Sequence, residues 1–192
     1  TSTNQAPRIS QPGEKGENGV YEIELKILAD VGLVGLPNAG KSTLLSKLSS
    51  ARPKIANYPF TTLEPKLGIV KYGEYSSFVM ADIPGLIEGA SEGKGLGHQF
   101  LRHVERNKIL LFLIDSQDPD PNRTFQTLKS EIYQYNSDLK IKPIVVCQTK
   151  VDLELEGQNQ WNQINKEIIK ISSLTGKGLT TLIKKIISII HK

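Results

Sequence analysis

At 192 residues the chain is long enough for one domain with a full hydrophobic core. Its composition, 38% hydrophobic and 23% charged, excludes a disordered or low-complexity protein, and no apolar stretch is long enough to span a bilayer. A net charge of +4 makes the chain mildly basic and reads mainly as solvated lysine, with a weak preference for polyanions such as RNA as the alternative.

The polar start lacks a methionine and a signal peptide. It reads as a processing boundary from which a targeting sequence could have been removed. Residues 1–24, with Pro7, Pro12, Gly13, Gly16 and Gly19, are expected to form a linker, and residues 25–192 one domain. Val31, Leu33 and Val34 form a short apolar run that ends at Gly35 and suits a strand buried in a parallel sheet. A helix should begin near Lys41, with Leu44, Leu45 and Leu48 on one face. Residues 51–65 hold Pro53, Pro59 and Pro65 and read as an extended loop. Leu67–Tyr72 and Ser77–Ala81 read as two strands joined by a turn at Gly73. A loop with Gly89, Gly93, Gly95 and Gly97 follows, then a helix over His98–Asn107 with Leu101 and Val104 inward.

Ile109–Ile114 is expected as a buried central strand, Thr124–Ser137 as a helix and Ile144–Gln148 as another buried strand. Cys147 lies in that last run and reads as a small buried hydrophobe. As the only cysteine it excludes an intramolecular disulfide, and His98, His103 and His191 share no zinc-ligand spacing with it. Gln158–Ile164 suits a short helix and Lys166–Ile171 a last strand. Gly178–His191 should close the chain as a helix, with Leu182, Ile183, Ile186, Ile187 and Ile190 on the sheet. Strands alternating with helices, apart from one hairpin, predict an α/β fold. Its open, mostly parallel sheet would be covered on both faces, with its ligand at the carboxyl ends of the strands.

Five stretches carry chemistry. Gly35-Leu36-Pro37-Asn38-Ala39-Gly40-Lys41-Ser42 is the phosphate-cradling pattern G-x-x-x-x-G-K-[ST], placed after a strand and before a helix. Its backbone N–H groups and the helix N-terminus would face an anion, Lys41 would reach the terminal phosphates, and the Ser42 hydroxyl suits magnesium. Phe60-Thr61-Thr62-Leu63-Glu64 follows in the next loop, where a threonine hydroxyl can complete a magnesium shell. In Asp82-Ile83-Pro84-Gly85 the carboxylate can hold a magnesium-bound water, and the Gly85 N–H can sense the γ-phosphate. In Thr149-Lys150-Val151-Asp152 a carboxylate can accept hydrogen bonds from N1–H and the 2-amino group of guanine, while the Lys150 stem lies across the base. Ser172-Ser173-Leu174, between the last strand and helix, can offer N–H groups to the guanine 6-oxo group; helix N-capping by a serine or threonine is the plainer reading, and both can hold at once.

In this order these strings resemble the GTPase domain of the Obg family of translation-factor-type GTPases, over about residues 7 to 190. Ala29 to Thr43 is similar to the family's first motif, Asn57 to Pro65 to its switch I, and Ala81 to Gly97 to its switch II, with the helix His98–Arg106 after it. Pro7–Glu24 resembles the tail of the family's glycine-rich N-terminal domain. The resemblance implies a P-loop NTPase G domain: a mostly parallel six-stranded sheet with one antiparallel strand and helices on both faces. It implies binding of GTP, GDP and Mg2+, slow hydrolysis, and a role in large ribosomal subunit assembly. The setting would be cytoplasmic, or a chloroplast or mitochondrial matrix, with the isolated domain monomeric. Ser42, Thr62 and Asp82 would be the metal residues, and Asn38, Lys41, Thr62 and Gly85 the catalytic set, with Asn38 matching a potassium-binding asparagine of some related GTPases. The family usually carries asparagine at Thr149. Threonine lacks the second amide donor, so a weaker tie from the base to the phosphate loop is expected, with guanine specificity kept by Asp152.

Two other functions fit some of these residues. Leu86 stands where many such GTPases carry a water-orienting glutamine, which favours a module that senses GTP, GDP or an alarmone and docks with negligible hydrolysis. A P-loop ATPase or kinase is the third reading; Asp152 and the two-switch layout speak against it.

Overall fold

Strands whose side chains are hidden on both faces form the middle of the sheet. In the computed structural model β1 (Val31–Val34) is buried throughout, and β5 (Ile109–Asp115) is buried up to its last residue. Residues 13–20, 29–51, 54–55, 66–82, 107–135, 137–154 and 161–191 are described, with backbone alone at 54–55, 135 and 162. Flanking the middle pair are β4 (Ser77–Asp82) and β6 (Ile144–Thr149), then β3 (Lys66–Lys71) and β7 (Ile168–Lys170) outside them. With β2 (Lys54–Ile55) at one edge, the order is β2-β3-β4-β1-β5-β6-β7. Only β3 runs against the others, since it pairs antiparallel with β4 and with β2.

The sequence leads to six strands, and the structure adds a two-residue seventh at the edge. β2 (Lys54–Ile55) lies in the segment read as an extended loop and pairs with Leu67 and Lys66. Two residues are too few to leave an alternating pattern, so nothing in the sequence marked it. The predicted helix His98–Asn107 falls on residues outside those described, apart from Asn107 itself.

Each face of the sheet has its own core. Leu110, Phe112, Ile114 and Val146 point to one side and pack on α2 (Pro121–Tyr135), with the Phe112 and Phe125 rings edge to face at 5.2 Å. Leu33, Leu111, Leu113 and Cys147 point to the other, beneath α1 (Lys41–Leu48) and α3 (Leu179–Ile190). Leu44 and Leu45 of α1 are fully buried and Leu48 packs beside them, as their spacing implies. On α3 the buried stripe is Leu179, Leu182 and Ile186, with Ile183, Ile189 and Ile190 partly covered. Burial pushes the Cys147 thiol far above its usual range, so it behaves as a hydrophobe.

α2 begins three residues before the predicted Thr124. Pro121 takes the first helical position, where its missing N–H costs nothing, and Asp120 Oδ1 accepts a hydrogen bond from Arg123 N at 2.9 Å as an N-cap. At the amino end of the sheet Asp30 pins three strands. Its carboxylate accepts from Val79 N at 3.0 Å, and its carbonyl accepts from Lys108 N and Ile109 N at 2.8 and 3.0 Å. Parallel pairing aligns the carboxyl ends of β1, β4, β5, β6 and β7 at the opposite edge, where the candidate residues follow.

Candidate nucleotide-binding site

The loop between β1 and α1 is shaped by two glycines. A side chain at Gly35 would lie 2.5 Å from the Leu113 carbonyl oxygen, so the strand can turn here only without one. Gly40 caps α1 at φ 91°, a left-handed conformation that costs glycine little. Asn38 is also left-handed, at φ 63°. Alternation of this kind turns successive N–H groups toward one concavity. The first turn of α1, Lys41 to Thr43, adds N–H groups that a helix cannot satisfy internally. Lys41 Nζ donates to the carbonyls of Gly35 and Leu36 at 2.8 and 3.1 Å, which holds its charge over the loop. Pro37 and Asn38 are exposed, while Ala39 is buried beneath them.

Ser42 and Asp82, 40 residues apart, meet beside this loop: Ser42 Oγ donates to Asp82 Oδ2 at 2.8 Å. Their elements are brought together because β4 pairs with β1. Asp82 is 6% exposed, and its Oδ1 is buried without a hydrogen-bond partner. An unsatisfied carboxylate oxygen costs about 1–3 kcal/mol, so a native site normally gives it a cation or a donor. A hydroxyl and a carboxylate are hard oxygen donors that fit Mg2+, which uses few protein ligands and fills its shell with water and phosphate oxygens. Among the described residues no group of three or more His, Cys, Asp or Glu could hold a metal.

The second half of the site hangs on β6. Thr149 is 3% exposed, and its Oγ1 lies 2.9 Å from the Ala39 carbonyl and 3.2 Å from that of Ile114. The hydroxyl thus ties this segment directly to the phosphate loop across 110 residues of sequence, without an asparagine amide. Thr149→Val keeps the shape and leaves the Ala39 carbonyl without its donor. A loss of about 1–3 kcal/mol is expected, roughly 5- to 150-fold in nucleotide affinity, as read by titration with labelled GDP.

Lys150 is left-handed at φ 55°, and its Nζ bonds Asp115 Oδ2 at 2.6 Å. Its carbonyl accepts from Ser116 Oγ at 2.8 Å. Val151 is buried, with its N–H on the Ile171 carbonyl at 3.3 Å, and Asp152 is exposed at the tip. Glu154 anchors the far side of the turn: Oε1 accepts from Gln148 Nε2 at 3.0 Å and Lys170 Nζ at 2.7 Å. The Lys170 hydrogen bond holds the Glu154 carboxyl below the usual range. Asp115 and Ser116 were not singled out from the sequence. Their only signal is their place just after the apolar run Ile109–Ile114.

In the segment after β7, Ser172 is buried, its N–H is bonded to the Lys177 carbonyl at 3.0 Å, and its Oγ accepts from Thr175 N at 3.1 Å. Helix capping by serine or threonine is overturned: Gly178, at φ 75°, precedes α3 with no side-chain cap. The serine closes the turn instead. Ser173 is half-buried and Leu174 is 78% exposed. The structure therefore gathers Gly35 to Thr43, Asp82, Thr149 to Asp152 and Ser172 to Leu174 at one edge. Phe60, Thr61, Thr62, Leu63, Glu64, Ile83, Pro84 and Gly85 lie outside the described residues.

Comparison with known proteins agrees with this arrangement. A family model described as "50S ribosome-binding GTPase" matches residues 30–150. GTPase Obg of Chloroherpeton thalassium is 55% identical over 184 residues, covering 95% of this chain and 55% of the relative. GTPase Obg of Thermodesulfovibrio yellowstonii is 61% identical over 160 residues, covering 82% and 48%. The chain thus spans about half the length of the curated relatives it matches. Among solved structures, the G domain of the Thermotoga maritima FeoB iron transporter superposes with a TM-score of 0.63 at 22% identity, over 85% of this chain and 99% of that one. Aquifex aeolicus Era bound to GDP and aluminium fluoride gives 0.61 at 27% identity, over 84% and 56%.

Fold and neighbours define a P-loop GTPase G domain. The chain belongs to the 50S ribosome-binding GTPases and, within them, to the Obg family.

Proposed function

We propose that this chain binds GTP and hydrolyses it slowly to GDP, and that it serves as a nucleotide-dependent switch in large ribosomal subunit assembly. The observation that carries the proposal is the Ser42–Asp82 pair beside the phosphate loop, with Asp82 Oδ1 left for a cation. The N–H groups of the loop and of the first turn of α1 hold the phosphates, and Lys41 places its charge on the outer two. Asp152 reads guanine, and the Ser173 and Leu174 N–H groups take its 6-oxo group, since that of Ser172 is already bonded. Ser42, Asp82 and Thr62 would hold Mg2+, which supplies positive charge against the phosphate oxygens. Gly85 senses the terminal phosphate.

Leu86 cannot orient water, so the domain alone is slow. Asn38 is exposed at the rim of the loop, where it can share a potassium ion with the phosphates. The large-subunit role rests on the family match and on the Obg relatives, and Era, solved in complex with nucleotides of 16S ribosomal RNA, supports an RNA-rich setting. No helix among the described residues is long and apolar enough to cross a membrane, and the bacterial relatives favour the cytoplasm. Single-turnover phosphate release with labelled GTP, with and without Mg2+ and in potassium or sodium, tests the proposal. Release of one phosphate per bound GTP is expected, faster in potassium. Tight binding without release would leave a sensing module in place of an enzyme.

A further inference from the structure

A separate cationic feature lies at the other end of the molecule. α2 leaves the carboxyl edge of the sheet at Pro121 and runs back, so Tyr133 and the 3-10 turn Ser137–Ile141 come just before the amino end of β6. There Lys129 Nζ stands 5.6 Å from the centre of the Tyr133 ring, and Lys140 Nζ 5.9 Å from the same ring. Lys129 is also 5.9 Å from the Phe125 ring. Tyr133 packs partly on the core, so it is a fixed platform.

Neither ammonium has a carboxylate partner among the described residues. Glu131 lies about 160° round the helix from Tyr133. Its Oε2 is buried without a partner, and burial holds its carboxyl above the usual range. Asp138, in the turn, has a contact of its own. Lys142, with its Nζ on the Asn107 carbonyl at 2.5 Å and a further contact of its own, is already engaged. Ile141 beside it is 87% exposed.

A ring steadies an ammonium without neutralising it, whereas a carboxylate would cancel its charge. Two such lysines on one ring leave positive charge at a fixed spacing, and the exposed Ile141 offers an apolar edge to a base or sugar. Among the described residues no buried polar side chain closes round this spot as a pocket for a small free anion would require. The geometry points to a contact for the phosphodiester backbone of large-subunit ribosomal RNA, made by Lys129 and Lys140 across Tyr133. It rests on the ribosomal reading above and adds the surface and the chemical class of partner to it.

The test is binding of the whole chain to purified large ribosomal subunits and to protein-free large-subunit RNA across a salt series, with labelled GDP binding as a check on folding. Two contacts to single-stranded phosphates contribute about −1.4 to the slope of log affinity against log salt, or about 25-fold at 0.1 M relative to 1 M. The K129Q/K140Q chain should lose that much affinity for both probes and flatten the slope accordingly, while K129R/K140R retains both and all three chains bind GDP alike. Unchanged RNA affinity in the glutamine variant would overturn the contact and leave the ribosomal reading intact. Binding of the native chain to subunits but not to protein-free RNA would overturn RNA as the partner. No binding of the native chain to either probe would overturn the ribosomal reading and this contact with it.

Discussion

An Asp152→Asn variant is expected to lose about 10⁴-fold in affinity for GDP relative to xanthosine diphosphate. A carboxylate accepts from N1–H and from the 2-amino group of guanine at once. An amide offers one acceptor and one donor, so its NH2 would face the 2-amino group and leave buried donors unpaired on both sides. Xanthine carries an oxygen at that position and accepts from the amide instead. The swing is readable because Asp152 is exposed at the tip of its turn, while the turn is held by Thr149, Val151 and Glu154 through other bonds. Competition of GDP and xanthosine diphosphate against a labelled nucleotide measures it. An unchanged ratio would mean that Asp152 does not touch the base, and the assignment of this end of the site would fall with it.

What the sequence makes legible depends on the range of the interaction. The phosphate loop is written in eight consecutive residues because its shape is set locally, by glycine conformations and a helix start. The inner strands are equally plain, since β1, β5 and β6 are covered on both faces and appear as apolar runs with polar residues only at the ends of β5 and β6. The start of α2 is less plain, because apolar spacing first registers at Phe125, whereas the helix is started by Asp120 and Pro121, whose signals are polar and conformational. Contacts that join distant segments leave no trace of this kind. Nothing local tells that Lys150 meets Asp115, or that the Thr149 hydroxyl reaches Ala39. That second contact also changes the expectation drawn from threonine in place of asparagine. The missing amide matters less for the link to the phosphate loop, because the shorter hydroxyl makes that link itself.

Asp82→Asn should raise the Mg2+ concentration needed for half-maximal GTP binding by about 10- to 100-fold, the usual effect of removing a group that supports a metal's ligands. The change is nearly isosteric. An amide can still accept from Ser42 Oγ, so the bond that now spans 2.8 Å need not be lost. What disappears is the charge, while the amide NH2 takes the place of the buried oxygen that has no partner. The folded chain should therefore melt at the same temperature or slightly higher in the absence of the metal, because an unpaired buried charge is exchanged for a neutral group. Weakened metal binding alongside unchanged or greater stability is the signature of a group kept for a ligand and not for the fold. Titration of Mg2+ against labelled GTP, paired with thermal melts in EDTA, separates the two effects. Ser42→Ala supplies the complementary arm: with the two side chains in contact, the double variant should cost less than the sum of the single ones. If the Mg2+ midpoint does not move in Asp82→Asn, the metal is held elsewhere, and the orphaned Oδ1 would belong to the packing of β4 alone.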